Sequence, residues 1–159
     1  MPKLYKFSED EKRYWETWEN NDGSHIVHWG ELGTKGKTKT VKSSFLKKAE
    51  SKIQEEIEKA IADGYREIPA EDHFTLLVEY KVAGMGSGKD VEKRHRLESR
   101  MNETLGWTGL GACDGGSIGS GTMEVCNFVV DFELAKRVIE ADLAGTEFSD
   151  YSRIYNENA

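Results

Sequence analysis

A chain of 159 residues with 37% apolar side chains, including four tryptophans, six tyrosines and six phenylalanines, can bury the core of one ordinary domain or two small ones, which excludes wholesale disorder. Two cysteines, Cys113 and Cys126, exclude a disulfide framework and a thiolate metal knuckle, and they read as buried thiols of a reducing cytoplasm. A net charge of -7 argues against non-specific polyanion binding, while the lack of any long apolar run or apolar leader argues against membrane insertion and export.

From residue 3 to 42 the pattern is short strands. "KRYWETWEN" alternates Tyr14, Glu16 and Trp18 on one side with Trp15, Thr17 and Glu19 on the other. "NNDGS" (20–24) supplies the Asp-Gly of a hairpin turn, and "HIVHWGELG" resumes the alternation. A glycine-lysine loop then leads into "TKTVKSS". After it the period changes. Leu46, Ala49, Ile53, Ile57, Ala60 and Ile61 recur at helical spacing, which predicts an amphipathic helix over 44–63 that ends at Gly64. "REIPAEDH" (66–73) reads as a linker.

The second unit opens with the strand "FTLLVEYKV". Val91, Leu97, Met101 and Leu105 predict a helix over about 88–105, and "GLGAC" a strand followed by a glycine-rich loop. The long strand "TMEVCNFVV" comes next. A helix marked by Leu134, Ala135, Val138, Ile139 and Leu143, capped by Asp131, precedes the short strand "YSRIY". This β-α-β-β-α-β order is that of a ferredoxin-like, split βαβ unit. The fold class is therefore α+β, with domains at 1–68 and 73–159. Acids and bases balance over residues 1–70, so the whole acidic excess lies in 71–159.

Few motifs carry chemistry. "GMGSGKD" (84–90) lacks the spacing and the terminal hydroxyl of a phosphate loop, whereas Ser87 and Asp90 stand three apart as in a capping box. "CDGGSIGSGT" (113–122) is open to two readings. Asp114, Gly115, Gly116, Ser117 and Ser120 form either an anion-binding nest or a wide hairpin tip with bulges. Lys93, Arg96 and Arg100 share a helix face, diluted by the spacings of Glu92 with Arg96 and of Arg94 with Glu98. His95 has no second ligand or nucleophile nearby, so no catalytic residue, metal or cofactor is assigned.

The stretch "HWGELGTKGKTKTVKSS" (28–44) sets Trp29 beside a glycine loop bearing Lys35, Lys37, Lys39 and Lys42. From about residue 3 to 66 the chain resembles the WGR domain, through "YWETW", "HWG" followed by "LGTKG", and a single helix ending in Gly64-Tyr65. Such domains occur in poly(ADP-ribose) polymerases and in bacterial proteins linked to molybdate-metabolism regulation. In the polymerases they bind nucleic acid and relay contact to neighbouring domains. The resemblance implies a binding module, with Trp29 and Gly30 matching the first two letters of the signature. The third letter departs from it, since Glu31 stands where the family has arginine. The second unit is generally similar to uncharacterised bacterial ferredoxin-like domains, a likeness that carries no function.

The resulting expectation is a non-enzymatic, cytoplasmic, bacterial-type binding or regulatory protein. Its first unit would hold DNA or RNA weakly and salt-sensitively through Trp29, Gly30, Glu31, Lys35, Lys37, Lys39 and Lys42. The alternatives are a protein-protein adaptor and a small-anion site in the second glycine loop. Glu31 would either repel a phosphate or pair with a cation of the second unit or of another protein, the lysines at 35–42 and arginines such as Arg94 or Arg96 being candidate partners.

Overall fold

A computed structural model describes residues 2–158. The chain forms two compact units, Met1–Pro69 and Ala70–Ala159, each with its own four-stranded antiparallel sheet.

In the first unit, β1 (Lys3–Phe7), β2 (Lys12–Glu19), β3 (His25–Glu31) and β4 (Lys37–Val41) pair in chain order as a meander. Gly23, at a φ of 84°, turns β2 into β3, and Asp22 accepts from the backbone and the hydroxyl of Ser24. This turn sets the register in which Trp15 faces Trp29 and Glu16 faces His28. Because side chains alternate, one sheet face carries Leu4, Trp15 and Val27, with Trp29 and Val41 partly buried beside them. That face packs on Ile53, Ile57 and Ala60 of α1 (Ala49–Ala62).

The helix starts later than its sequence pattern predicts. Phe45 and Leu46 lie outside it and are 102% and 90% exposed. The reason is at the N-terminus: Lys48 cannot cap, and the Ser43 hydroxyl instead accepts from the Ala49 amide at 2.9 Å. Gly64 ends the helix as expected. Its amide donates to Ile61 and that of Tyr65 to Ala60, while Tyr65 turns its ring into the core. Arg66 then pairs with Tyr5 on the outer edge of β1.

The second unit comprises β5 (Phe74–Lys81), α2 (Gly88–Trp107), β6 (Gly111–Gly119), β7 (Thr122–Val129), α3 (Phe132–Leu143) and β8 (Arg153–Asn156). Its sheet runs β6-β7-β5-β8, so the first strand sits between the third and the last, as a split βαβ order requires. Leu76, Val78, Tyr80, Met123 and Val125 are buried on the sheet, as are Leu97, Met101 and Leu105 on α2 and Ala135, Ile139 and Leu143 on α3. Ser87 and Asp90 form the expected capping box, and Asp131 caps α3 through the Leu134 amide at 3.0 Å.

The predicted glycine loop after "GLGAC" is mostly strand. β6 continues through Gly119 and pairs with β7 along its length, with a bulge between Cys113 and Gly115. Ser120, at a φ of 54°, and Gly121 form the hairpin tip.

Candidate nucleic-acid interface

Trp29 stands between two hollows on one face of the first sheet. One, of about 360 Å³, opens toward α1 and is lined by Trp15, Val27, Trp29, Lys39 and Lys59 among others. The other, of about 420 Å³, lies at the Glu31 end of β3, where Arg13, Trp29, Gly30, Glu31, Thr34 and Lys37 meet. The cross-strand register explains that grouping. Lys37 is opposite Trp29, and Arg13 is opposite Glu31, so alternate side chains of three strands project together.

Arg13 is the cation that the sequence reading missed, although the signal was present. The Asp-Gly turn that pairs Trp15 with Trp29 also pairs the residues two steps further along, Arg13 with Glu31. A hydrogen bond that its guanidinium donates to Tyr65, with attraction from Glu11 and Glu31, pushes the Arg13 pKa up, so the charge is permanent. The arginines of the second unit suggested as partners of Glu31 are engaged elsewhere. Arg94 pairs with Glu98 at 3.3 Å, and Arg96 pairs with Glu147 at 2.6 Å rather than with Glu92.

The lysines divide. Lys37 lines the Arg13 hollow, while Lys39 reaches the other one, its ammonium 6.0 Å from the Trp29 ring and 3.0 Å from Glu56. Lys35 and Lys42 are exposed and line neither hollow, and among the described residues no ion pair engages Lys35, Lys37 or Lys42.

The opposite sheet face is closed by the loop that carries Lys35. The Tyr14 hydroxyl donates to the Thr34 carbonyl at 2.8 Å and lies 3.1 Å from His28 Nε2. His28, 1% exposed, reaches the Lys35 carbonyl at 2.6 Å through Nε2 and Glu16 at 2.8 Å through Nδ1. Gly36 presses onto the same place, because a Cβ there would run into the Trp29 carbonyl and the Tyr14 hydroxyl. Gly30 is crowded too, with the Gly36 Cα only 2.7 Å from where its Cβ would lie. These glycines are therefore needed for close backbone approach, and Gly36 also for its φ of 63°. Burial, ahead of the charge of Glu16, pushes the Tyr14 phenol up to about 12.

The second glycine-rich segment has different geometry. Asp114, Gly115, Gly116 and Ser117 lie within β6, where alternate amides are committed to β7, and Ser120 is at the tip. Cys113 and Cys126 are free and half-buried, and burial pushes both thiols up, Cys126 to about 11.

A four-stranded meander with one helix, and an open sheet end bearing a tryptophan among cations, define a small binding module. Residues 4–72 match the WGR domain, so the first unit is a WGR domain, a type associated with nucleic-acid binding. No curated protein and no solved structure matches the chain. Among the described residues no helix is long and apolar enough to cross a membrane.

Proposed function

We propose that this chain is a non-enzymatic, two-domain, bacterial-type binding protein that holds nucleic acid at the Trp29 end of its first unit. The observation that supports the reading most is the meeting of Arg13, Trp29 and Lys37 around one hollow. An indole face receives a base or sugar, while flanking cations attract phosphate without reading sequence. In this reading Arg13 supplies, from the neighbouring strand, the cation that Glu31 removes from the WGR signature. The second unit, read as ferredoxin-like, has its basic helix face neutralised and serves regulation or partner contact.

The test is a fluorescence-anisotropy series with single-stranded, duplex and nicked DNA and with RNA, each at several salt concentrations. Affinity should fall steeply from low to moderate salt. Salt-independent binding, or none to any polymer, defeats the proposal.

A protein-protein adaptor role is the second reading, favoured by the full exposure of Phe45 and Leu46 between β4 and α1. Loss of a protein partner from a Phe45→Ser, Leu46→Ser variant that still binds nucleic acid normally would support it.

A further inference from the structure

At the other end of the β2-β3 ladder, away from Arg13 and Glu31, three chemically different elements converge. Glu19 ends β2, His25 begins β3 directly opposite it, and Glu50 lies in the first turn of α1. One ring nitrogen and one oxygen from each carboxylate all lie within 4.8 Å of one another. Two carboxylates at that separation repel unless something positive stands between them. A second observation concerns the histidine itself: its Nε2 is fully buried and has no hydrogen-bond partner. A buried ring nitrogen is ordinarily satisfied, and an orphan one on a histidine that stands beside two carboxylates calls for a ligand.

We propose that Glu19, His25 and Glu50 form a site for a divalent transition-metal ion of the zinc class, completed by solvent. The donor set decides the class, since imidazole with carboxylates suits zinc and its neighbours, whereas magnesium and calcium favour oxygen alone. Zinc binds such donors at about 2.0–2.2 Å in a tetrahedron, so two ligands of one ion stand about 3.4 Å apart. The donor atoms lie within 4.8 Å of one another, and the two glutamate side chains that would close the remaining distance are exposed. The bound ion links the hairpin to the start of α1, where Lys48 provides no side-chain cap. It thereby rigidifies the sheet-helix unit from the end remote from Trp29, and the site does not depend on what Trp29 binds.

The test uses the full chain titrated with zinc by calorimetry and with cobalt by visible absorption. One site is expected, with thermal stability rising by about 5 °C when zinc is well above its dissociation constant. Magnesium should have no such effect. His25→Ala and Glu50→Gln should each weaken zinc at least about tenfold. In histidine-ring NMR the His25 signals should move with zinc while those of His28 stay put. If His25→Ala fails to fold, Glu50→Gln on the exposed helix surface carries the comparison. Wild-type protein that takes up no zinc overturns the proposal. So does a Glu50→Gln variant that titrates like wild type, because the metal is then held by other histidines.

Discussion

The two units differ in which of their cations are paired. In the second, Lys93 is paired with Asp150, Arg94 with Glu98, Arg96 with Glu147, Arg100 with Asp142 and Arg153 with Glu79. In the first, Lys6 pairs with Asp63, Arg13 with Glu11, Lys39 with Glu56 and Lys47 with Glu55, but Lys35, Lys37 and Lys42 have no such partner among the described residues. Both units are rich in lysine or arginine on a local stretch of sequence. Among the described residues, the first unit leaves Lys37 without an ion pair directly across the ladder from Trp29. Net charge therefore says little about where a polyanion can sit, and local pairing says more.

Their glycine-rich segments differ in the same instructive way, and the largest expected effect lies there. A Cβ at Gly36 meets backbone that cannot move aside, at a φ of 63°. Gly36→Ala should therefore cost about 3 kcal/mol of stability through strain and overpacking. At Gly115 the φ is 104°, but nothing lies within 4 Å of the added atom, so Gly115→Ala should cost only about 1–2 kcal/mol. Denaturant midpoints of the two variants check the difference. Equal losses would mean that the loop of the first unit is not held against Tyr14 as described.

Binding sharpens the contrast in cations. Replacing Lys35, Lys37 and Lys42 together by Ala should lower polynucleotide affinity and reduce the slope of log affinity against log salt by about 2. Replacing Lys93, Arg96 and Arg100 in the second unit should leave that slope unchanged and weaken only the unit's own ion pairs. A slope that responds to the second set and not the first would move the interface to the other unit.

Glu31→Arg comes next in size. In the wild type the carboxylate stands across the ladder from Arg13. The substitution should tighten nucleic-acid binding about tenfold, equivalent to about 1.4 kcal/mol. It also places two arginines opposite each other, which should cost up to about 1 kcal/mol of stability. Adding Arg13→Glu restores an opposite-charge pair and should recover the stability while lowering affinity again. Unchanged affinity in Glu31→Arg would remove this end of the sheet from the binding surface.

Much of the fold was legible because it rests on local signals. The Asp-Gly turn, the Gly64 helix stop, and the Ser87 and Asp131 caps each act within a few residues of themselves. The start of α1 was misplaced because Leu46 fits the apolar period, yet no side chain at Lys48 caps a longer helix. β6 was shortened because glycines suggest a loop, whereas here pairing with β7 overrides their weak strand preference. At the candidate site, Trp29, Glu31 and Lys37 could be chosen from the chain. Arg13 could not be chosen without the register, and His28 was hidden by its own neighbour. Alternation sends it to the face opposite Trp29, where its partners come from a loop seven residues on and a strand twelve residues back.

The smallest effect concerns one hydroxyl in each unit. Tyr14 donates to the Thr34 carbonyl and Tyr80 to the Phe148 carbonyl, both at 2.8 Å, and both rings are almost wholly buried. Tyr14→Phe and Tyr80→Phe should each cost about 1 kcal/mol, since each leaves a carbonyl short of its donor. Their consequences for binding should separate. The Thr34 carbonyl belongs to the loop that carries Lys35 and Gly36, and Thr34 and Gly36 line the Arg13 hollow. Loosening that loop should weaken nucleic-acid binding a few-fold, whereas Tyr80→Phe should leave it unchanged. Alkaline titration gives a further handle. The Tyr14 phenol has its pKa raised from 10.0 to about 12 in the folded protein, so the unfolded chain loses this proton first. The contribution to stability is then complete below pH 10 and is lost as pH rises toward 12. Tyr80 is shifted the same way by its own burial, so only part of the wild-type loss should disappear in Tyr14→Phe. A Tyr14→Phe variant with the full wild-type decline would show that the hydroxyl is not buried against the loop.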